Sequence, residues 1–275
     1  MPINPPTADP ASVAASVAAD AAACLPLAFR LADAARVEAR RYFRTAVPVD
    51  VKPDHSPVTL ADREAEAAMR RILEAEAPDH GIFGEEHGRV RQGADWQWIL
   101  DPIDGTRAFI TGKPTFGTLI GLCFRGRPVL GVIDAGGTGE RWWGVAGRDS
   151  CHDGLVIRSR DCADLAPARM AATSPAMFGP ADRPGFDRLA GSVADVVWGG
   201  DCYNYGLLAM GLLDLVAEVD MKPYDWCALV PVIEGAGGIV SDWHGRPLSL
   251  DGDGRILAAG DRRAHAAALE ILAAA

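Results

Sequence analysis

The sequence predicts an α+β protein, with an antiparallel sheet in its first half and alternating strands and helices in its second. Two observations carry this. From Thr115 to Ala146, short apolar runs are separated by tight turns such as Gly126-Arg127, the pattern of successive hairpins. From Met170 onward, strand-like runs alternate with apolar helical ones, the pattern of α/β layering. A length of 275 residues allows one large domain or two modest ones, each with a real core. The halves are read as residues 1–151 and 152–275, with the seam at His152-Asp153-Gly154.

The elements follow in order. Residues 1–10 carry four prolines and few apolar anchors, and are expected to fray. Ala11–Phe43 is Ala-rich, with Leu25, Leu27, Phe29, Leu31, Ala34, Val37 and Tyr42 near helical spacing, so one long helix is expected, with a break at Pro26. Val51–Leu60 is irregular and contains Lys52, Asp54 and Ser56-Pro57. Arg63–Ala77 is a helix whose start carries Thr59 and Asp62 at the spacing of a capping box. Gly81–Gly84 is a brief strand that delivers Glu85 and Glu86, and Val90–Asp95 is a polar loop. Trp98–Leu100 is a buried strand stopped by Pro102. A turn at Phe109–Lys113 leads into strands at Thr115–Phe124, Val129–Ile133 and Trp142–Ala146. Beyond the seam come a strand at Met170–Thr173, a helix at Pro180–Leu189, a strand at Val193–Trp198 and a helix at Tyr203–Leu213. Then follow a strand at Leu215–Val219, a long buried helix at Asp225–Gly237, strands at Ile239–Ser241 and Ile256–Ala258, and a final helix at Asp261–Ala275. Asp251-Gly-Asp-Gly254 lacks the glutamate and spacing of a calcium loop and reads as a turn.

Charge and composition narrow the function. Twenty-seven Lys and Arg against 37 Asp and Glu give −10, which argues against a nucleic-acid partner. An anionic substrate remains compatible, because a bound cation inverts the local field. Six cysteines lie scattered with no C-x-x-C, as in a reduced, cytoplasmic protein. Cys151-His152 alone is too few ligands for a soft-metal site. No apolar run approaches a membrane span and no signal-peptide pattern is present, so no membrane partner is expected.

The chemistry concentrates at Trp98-Ile99-Leu100-Asp101-Pro102-Ile103-Asp104-Gly105-Thr106. Two carboxylates at a strand end, with the Ile103 carbonyl between them, are hard oxygen donors of the kind Mg²⁺ prefers. Gly105-Thr106 opens the next segment, where backbone amides can seat a phosphate. Taken alone, such a stretch reads first as a solvated Asp-rich turn.

Asp101-Pro-Ile-Asp-Gly-Thr106 after Trp-Ile-Leu resembles the signature of the inositol monophosphatase superfamily of Mg²⁺-dependent phosphatases. Gly84-Glu85-Glu86 upstream matches in the right order, as does Tyr224-Asp225-Trp-Cys-Ala228 with Gly235-Ala-Gly-Gly238 downstream. The resemblance runs from about Lys52 to about Gly245. It implies a layered αβαβα sandwich and a site of two or three Mg²⁺ ions held by Glu85, Asp101, the Ile103 carbonyl, Asp104 and Asp225. It further implies that Glu85 bridges metals, that Asp62 and Thr106 activate the attacking water, and that the protein is a homodimer. Capping is the competing structural role for Asp62, Thr106 and Asp225. The substrate is expected to be a small phosphate ester gripped at Asp104, Gly105 and Thr106.

The tracts Gly105–Gly121 and Trp198–Gly206 resemble the histidinol-phosphate phosphatase branch more than the inositol branch. In the inositol enzymes a small residue precedes a substrate-contacting glutamate by seventeen positions. Here that spacing joins Asp201 to Glu218, so a carboxylate replaces the small side chain. A second acid suits a cationic alcohol such as L-histidinol. Capping of the next helix is the alternative role for Asp201. Competing functions are inositol-1-monophosphatase, a nucleotide 3′-phosphatase, a fructose bisphosphatase and a non-catalytic regulatory protein. The two enzymes with doubly phosphorylated substrates want a compact basic cluster in the second half, and only Arg107 and Lys113 flank the site.

Overall fold

The computed structural model describes residues 10–46, 48–51 and 57–273. The irregular stretch around Lys52 to Ser56 therefore lies outside the described residues. In chain order the elements are α1 (Pro10–Ala23), α2 (Leu25–Tyr42), β1 (Val49–Val51), β2 (Pro57–Thr59), α3 (Leu60–Glu76), β3 (Gly81–Gly84), β4 (Gly88–Val90) and β5 (Trp96–Asp104). Next come α4 (Thr106–Ile110), β6 (Gly117–Phe124), β7 (Arg127–Ala135), β8 (Glu140–Val145), β9 (Cys151–His152), β10 (Leu155–Val156), β11 (Arg169–Ala172), α5 (Arg183–Ala190) and β12 (Asp195–Trp198). The chain closes with α6 (Cys202–Ala209), β13 (Leu215–Glu218), α7 (Pro223–Trp226), α8 (Leu229–Gly235), β14 (Ile239–Ser241), β15 (Ile256–Ala259) and α9 (Arg262–Ala273).

Strands β3 to β10 form an eight-stranded sheet ordered β10-β9-β8-β7-β6-β5-β3-β4, antiparallel except for the β3–β5 pair. A five-stranded sheet, β12-β11-β13-β15-β14, is parallel on one side of β13 and antiparallel on the other. One core fills the space between the first sheet and α1–α3 through Leu31, Met69, Trp98, Ile120 and Leu130. A second joins that sheet through Ile99, Leu119 and Ile133 to α6, α8 and the inner face of the second sheet. A third packs the outer face of the second sheet on α5 and α9 through Phe186, Leu189 and Leu272. The order is thus helix, sheet, helix, sheet, helix, the expected α+β sandwich.

The middle helical layer sits unusually close to the first sheet, and glycine is the reason. Gly121 pairs with Gly131, and Gly131 with Gly144, so three strands present a row without side chains. The backbone from Cys227 to Pro231 lies in that groove. A Cβ on Gly131 would sit 1.9 Å from the Ala228 carbonyl oxygen, and one on Gly144 2.2 Å from that of Pro231.

Several elements differ from expectation. The long N-terminal helix divides at Cys24, with Pro26 in the first turn of α2, where a missing N–H costs nothing. Together the described helical residues Val13–Tyr42 are long and apolar enough to cross a membrane, contrary to the expectation from the sequence. Alanine supplies much of that apolarity, and α2 places Ala28, Leu31, Ala32, Ala35 and Ala39 in the core. β5 continues past Pro102 to Asp104 through an irregularity in its pairing with β6. The turn at Phe109 is the helix α4. The seam expected at His152 is a hairpin, β9–β10, which extends the first sheet. The helix expected from Asp225 to Gly237 is two, because Pro231 is tolerated in the first turn of α8 but not inside a continuous helix.

Candidate active site

Three pieces of chain bring acid to one place. The β5 bulge turns Asp101 and Asp104 to the same side, and α7 brings Asp225, so that one oxygen from each lies within 4.8 Å of the others. Glu85, from the β3–β4 turn, lines the same cavity of about 210 Å³, with the Ile103 carbonyl residue, Gly105 and Thr106. The cavity wall also includes Asp220, Lys222 and Tyr224, which the sequence reading did not single out.

Each carboxylate is fixed by backbone. Asp101 Oδ1 accepts the Ile103 N–H at 3.0 Å. Asp104 Oδ2 accepts the Cys202 N–H at 2.6 Å, from the first turn of α6. Asp225 Oδ2 accepts the Lys222 N–H at 2.6 Å. The Glu85 amide donates to Leu100 O at 3.1 Å, which ties its turn to β5. These bonds leave the carboxylates crowded. Burial pushes the Asp104 pKa up to about 7, and Asp225 adds to it against the pull of the Cys202 bonds. Asp225 rises to about 7, again chiefly by burial, with Glu85 adding and the Lys222 amide opposing. Asp101 rises too, through burial and then the charges of Glu85, Asp104 and Asp225. A cluster of hard oxygen donors that repel one another fits a divalent cation.

Asp62 stands at the start of α3. Its Oδ2 accepts from the Thr59 N–H (2.8 Å) and the Thr59 hydroxyl (2.6 Å), so the expected capping box is present. Its Oδ1 faces the Thr106 hydroxyl at 3.4 Å, and that hydroxyl lies 3.1 Å from Ile103 O. Capping therefore occupies one oxygen of Asp62 and leaves the other toward the site. Burial raises its pKa, with Glu85 contributing, while the Thr59 bonds lower it.

Asp201 precedes α6 with φ 48° and ψ −136°, and its side chain makes no capping hydrogen bond. Gly199 and Gly200 before it also have positive φ, so the loop is turned sharply. Its carboxylate lies against Gly105, where a Cβ would come within 2.9 Å of Cγ. Burial, then Asp104 and Glu218, push its pKa up to about 8, opposed by Lys113. Glu218, expected as a substrate contact, stands one layer back. It is 1% exposed, and its two oxygens accept the Thr173 N–H (2.6 Å) and the Tyr205 hydroxyl (2.7 Å).

A layered αβαβα sandwich with clustered carboxylates beside a Gly-Thr turn defines a metal-dependent phosphatase. The inositol monophosphatase family model matches residues 14–275, and the chain belongs to that family. It is 46% identical over 251 residues to the chloroplastic bifunctional phosphatase IMPL2 of Arabidopsis thaliana, covering 88% of this chain and 72% of the relative. It is 36% identical to a histidinol-phosphatase of Chlorobaculum parvum, covering 85% of this chain and 91% of the relative. A solved inositol monophosphatase from Zymomonas mobilis superposes with a TM-score of 0.84 at 50% identity, over 90% of this chain and 96% of that one.

Proposed function

We propose that this phosphatase hydrolyses L-histidinol phosphate to L-histidinol and phosphate with Mg²⁺, as a step of histidine biosynthesis, in the cytoplasm and as a homodimer. Glu85, Asp101, Ile103 O, Asp104 and Asp225 hold the ions, which supply Lewis-acid stabilisation of charge at phosphorus and lower the pKa of water. The amides of Gly105 and Thr106 hold phosphate oxygens at the start of α4. The Thr106 hydroxyl, set between Asp62 Oδ1 and Ile103 O, passes the proton of the attacking water to Asp62. Water attacks phosphorus directly, the ester P–O bond breaks, and the leaving oxygen departs as an alkoxide that takes a proton from solvent water to give the alcohol.

The observation that carries the substrate is Asp201. A carboxylate in a strained loop, free of capping duty and pressed against Gly105, complements the ammonium and imidazole of L-histidinol. Relatives named histidinol-phosphatase support this reading. The test is phosphate release with Mg²⁺ across a small panel of esters, on the wild type and Asp201→Asn. Loss of one charge-assisted contact, about 2 kcal/mol, lowers kcat/KM for L-histidinol phosphate by roughly 30-fold. A neutral ester such as inositol 1-phosphate loses less than about threefold. Equal losses on both remove the specificity argument.

The second reading is inositol-1-monophosphatase, favoured by the 50% identity to the Zymomonas mobilis enzyme. It takes precedence if inositol 1-phosphate is turned over faster than L-histidinol phosphate by the wild type.

A further inference from the structure

Glu66 is a buried carboxylate with no part in the chemistry above, and it lies beside the turn that carries Glu85. It is 0% exposed. Its Oε2 accepts the Glu86 N–H at 2.7 Å and its Oε1 the His87 N–H at 3.2 Å, so consecutive amides of the β3–β4 turn close around one carboxylate. Arg70 Nε donates to the same Oε1 at 2.7 Å, and the Arg70 guanidinium also reaches Gly88 O. Gly84 admits the contact, since a Cβ there would stand 2.0 Å from Glu66 Oε1. Asp62, Glu66 and Arg70 are spaced i, i+4, i+8 and lie along one face of α3.

We infer that Glu66 is a positioning residue that sets the cation affinity of the site, by clamping the Glu85 turn onto the same helix that carries Asp62. The inference rests on the metal reading above. From one side the Glu85 amide is held by Leu100 O of β5, and from the other the next two amides are held by Glu66. Glu85 shares a hydrogen bond with Asp101 and is repelled by the charge of Asp225, so the clamp on its turn fixes where the carboxylate stands before a cation arrives. Residues behind metal ligands change metal affinity by about 10–100-fold when removed.

The test uses Glu66→Gln, which keeps the shape and one acceptor, and Gly84→Ala, whose methyl displaces the Glu66 carboxylate without touching its charge. Mn²⁺ binding is measured by EPR titration on each purified protein, with circular dichroism to confirm folding. In both variants the Mn²⁺ Kd rises about tenfold or more, and the Mg²⁺ concentration for half-maximal activity rises in step, while kcat at saturating Mg²⁺ falls by less than about threefold. Folded variants that bind Mn²⁺ as the wild type does, or that lose kcat with no change in Kd, overturn the clamp. A wild type that binds no Mn²⁺ overturns the metal reading itself, a distinct outcome.

Discussion

Asp104 holds two positions at once: one oxygen accepts the first amide of α6, and the carboxylate as a whole faces Asp101 and Asp225 across the cavity. An amide at this place keeps the acceptor and removes the charge. Asp104→Asn therefore leaves the fold intact, and the Tm of the metal-free protein does not fall, because a repelling charge has gone. Activity with Mg²⁺ drops by about 10³-fold, since Lewis-acid stabilisation contributes several kcal/mol and each 1.36 kcal/mol is tenfold. Retained phosphate release in a malachite-green assay would place the cation elsewhere. Residues of this kind are legible in a sequence because their spacing is local: Asp101, Ile103 and Asp104 share one strand end, and Asp225 has its own flanking motif. Glu66 was not, because α3 also holds Glu64, Glu74 and Glu76 and nothing but spacing separates them. Its place four residues after Asp62 and four before Arg70 was the available signal. Asp220 and Lys222 gave none, since they reach the cavity only through the turn before α7.

At the scale of elements, the placement of Asp225 depends on how deeply α7 and α8 sink into the first sheet. The groove of Gly121, Gly131 and Gly144 sets that depth, and it arises from cross-strand register, which no single strand's sequence displays. Strands and their alternation were readable one at a time; the row was not. Nor was the division of α7 from α8, because apolar periodicity runs through Pro231 and conceals the break. A methyl on Gly131 meets the Ala228 carbonyl well inside contact distance; the methyl is fixed to its Cα and the carbonyl is backbone, so neither can rotate away. Overpacking of this sort costs about 3 kcal/mol, near the upper end of measured cases. Gly131→Ala accordingly lowers Tm by roughly 6–10 °C in a thermal melt. Lifting α8 also draws Asp225 from Asp101 and Asp104, so Mg²⁺ affinity falls in the same variant. A Gly131→Ala protein with wild-type Tm would mean that the two layers are not in backbone contact at this row.

Across the whole molecule, four acidic side chains gather where charge is least favourable: Asp101, Asp104 and Asp225 line one cavity, and Asp201 lies against its Gly105 wall. The fold class was readable from alternation and hairpin turns; the convergence of distant acids was expected from the family resemblance alone, because no local spacing displays it. It has a consequence for stability. The raised pKa values, about 7 for Asp104 and Asp225 and about 8 for Asp201, lie above the value of about 4 expected in the unfolded chain. Between those limits the folded protein binds more protons, so this contribution is fully present below about pH 4 and is lost as pH rises through 7 to 8. With chelator present, Tm therefore falls from pH 5.5 to 8.5. His80 and His265, whose pKa values burial lowers, act the other way near pH 6.5, so the difference between wild type and Asp104→Asn isolates the cluster. The wild type loses more Tm over this range than the variant does. Mg²⁺ reverses the loss, by about 2.7 kcal/mol at a hundred times its Kd, and does so more at pH 8 than at pH 6, where protons compete for the same oxygens. Parallel pH profiles for the two proteins, with no larger Mg²⁺ effect at high pH, would show that these carboxylates do not form one electrostatic unit.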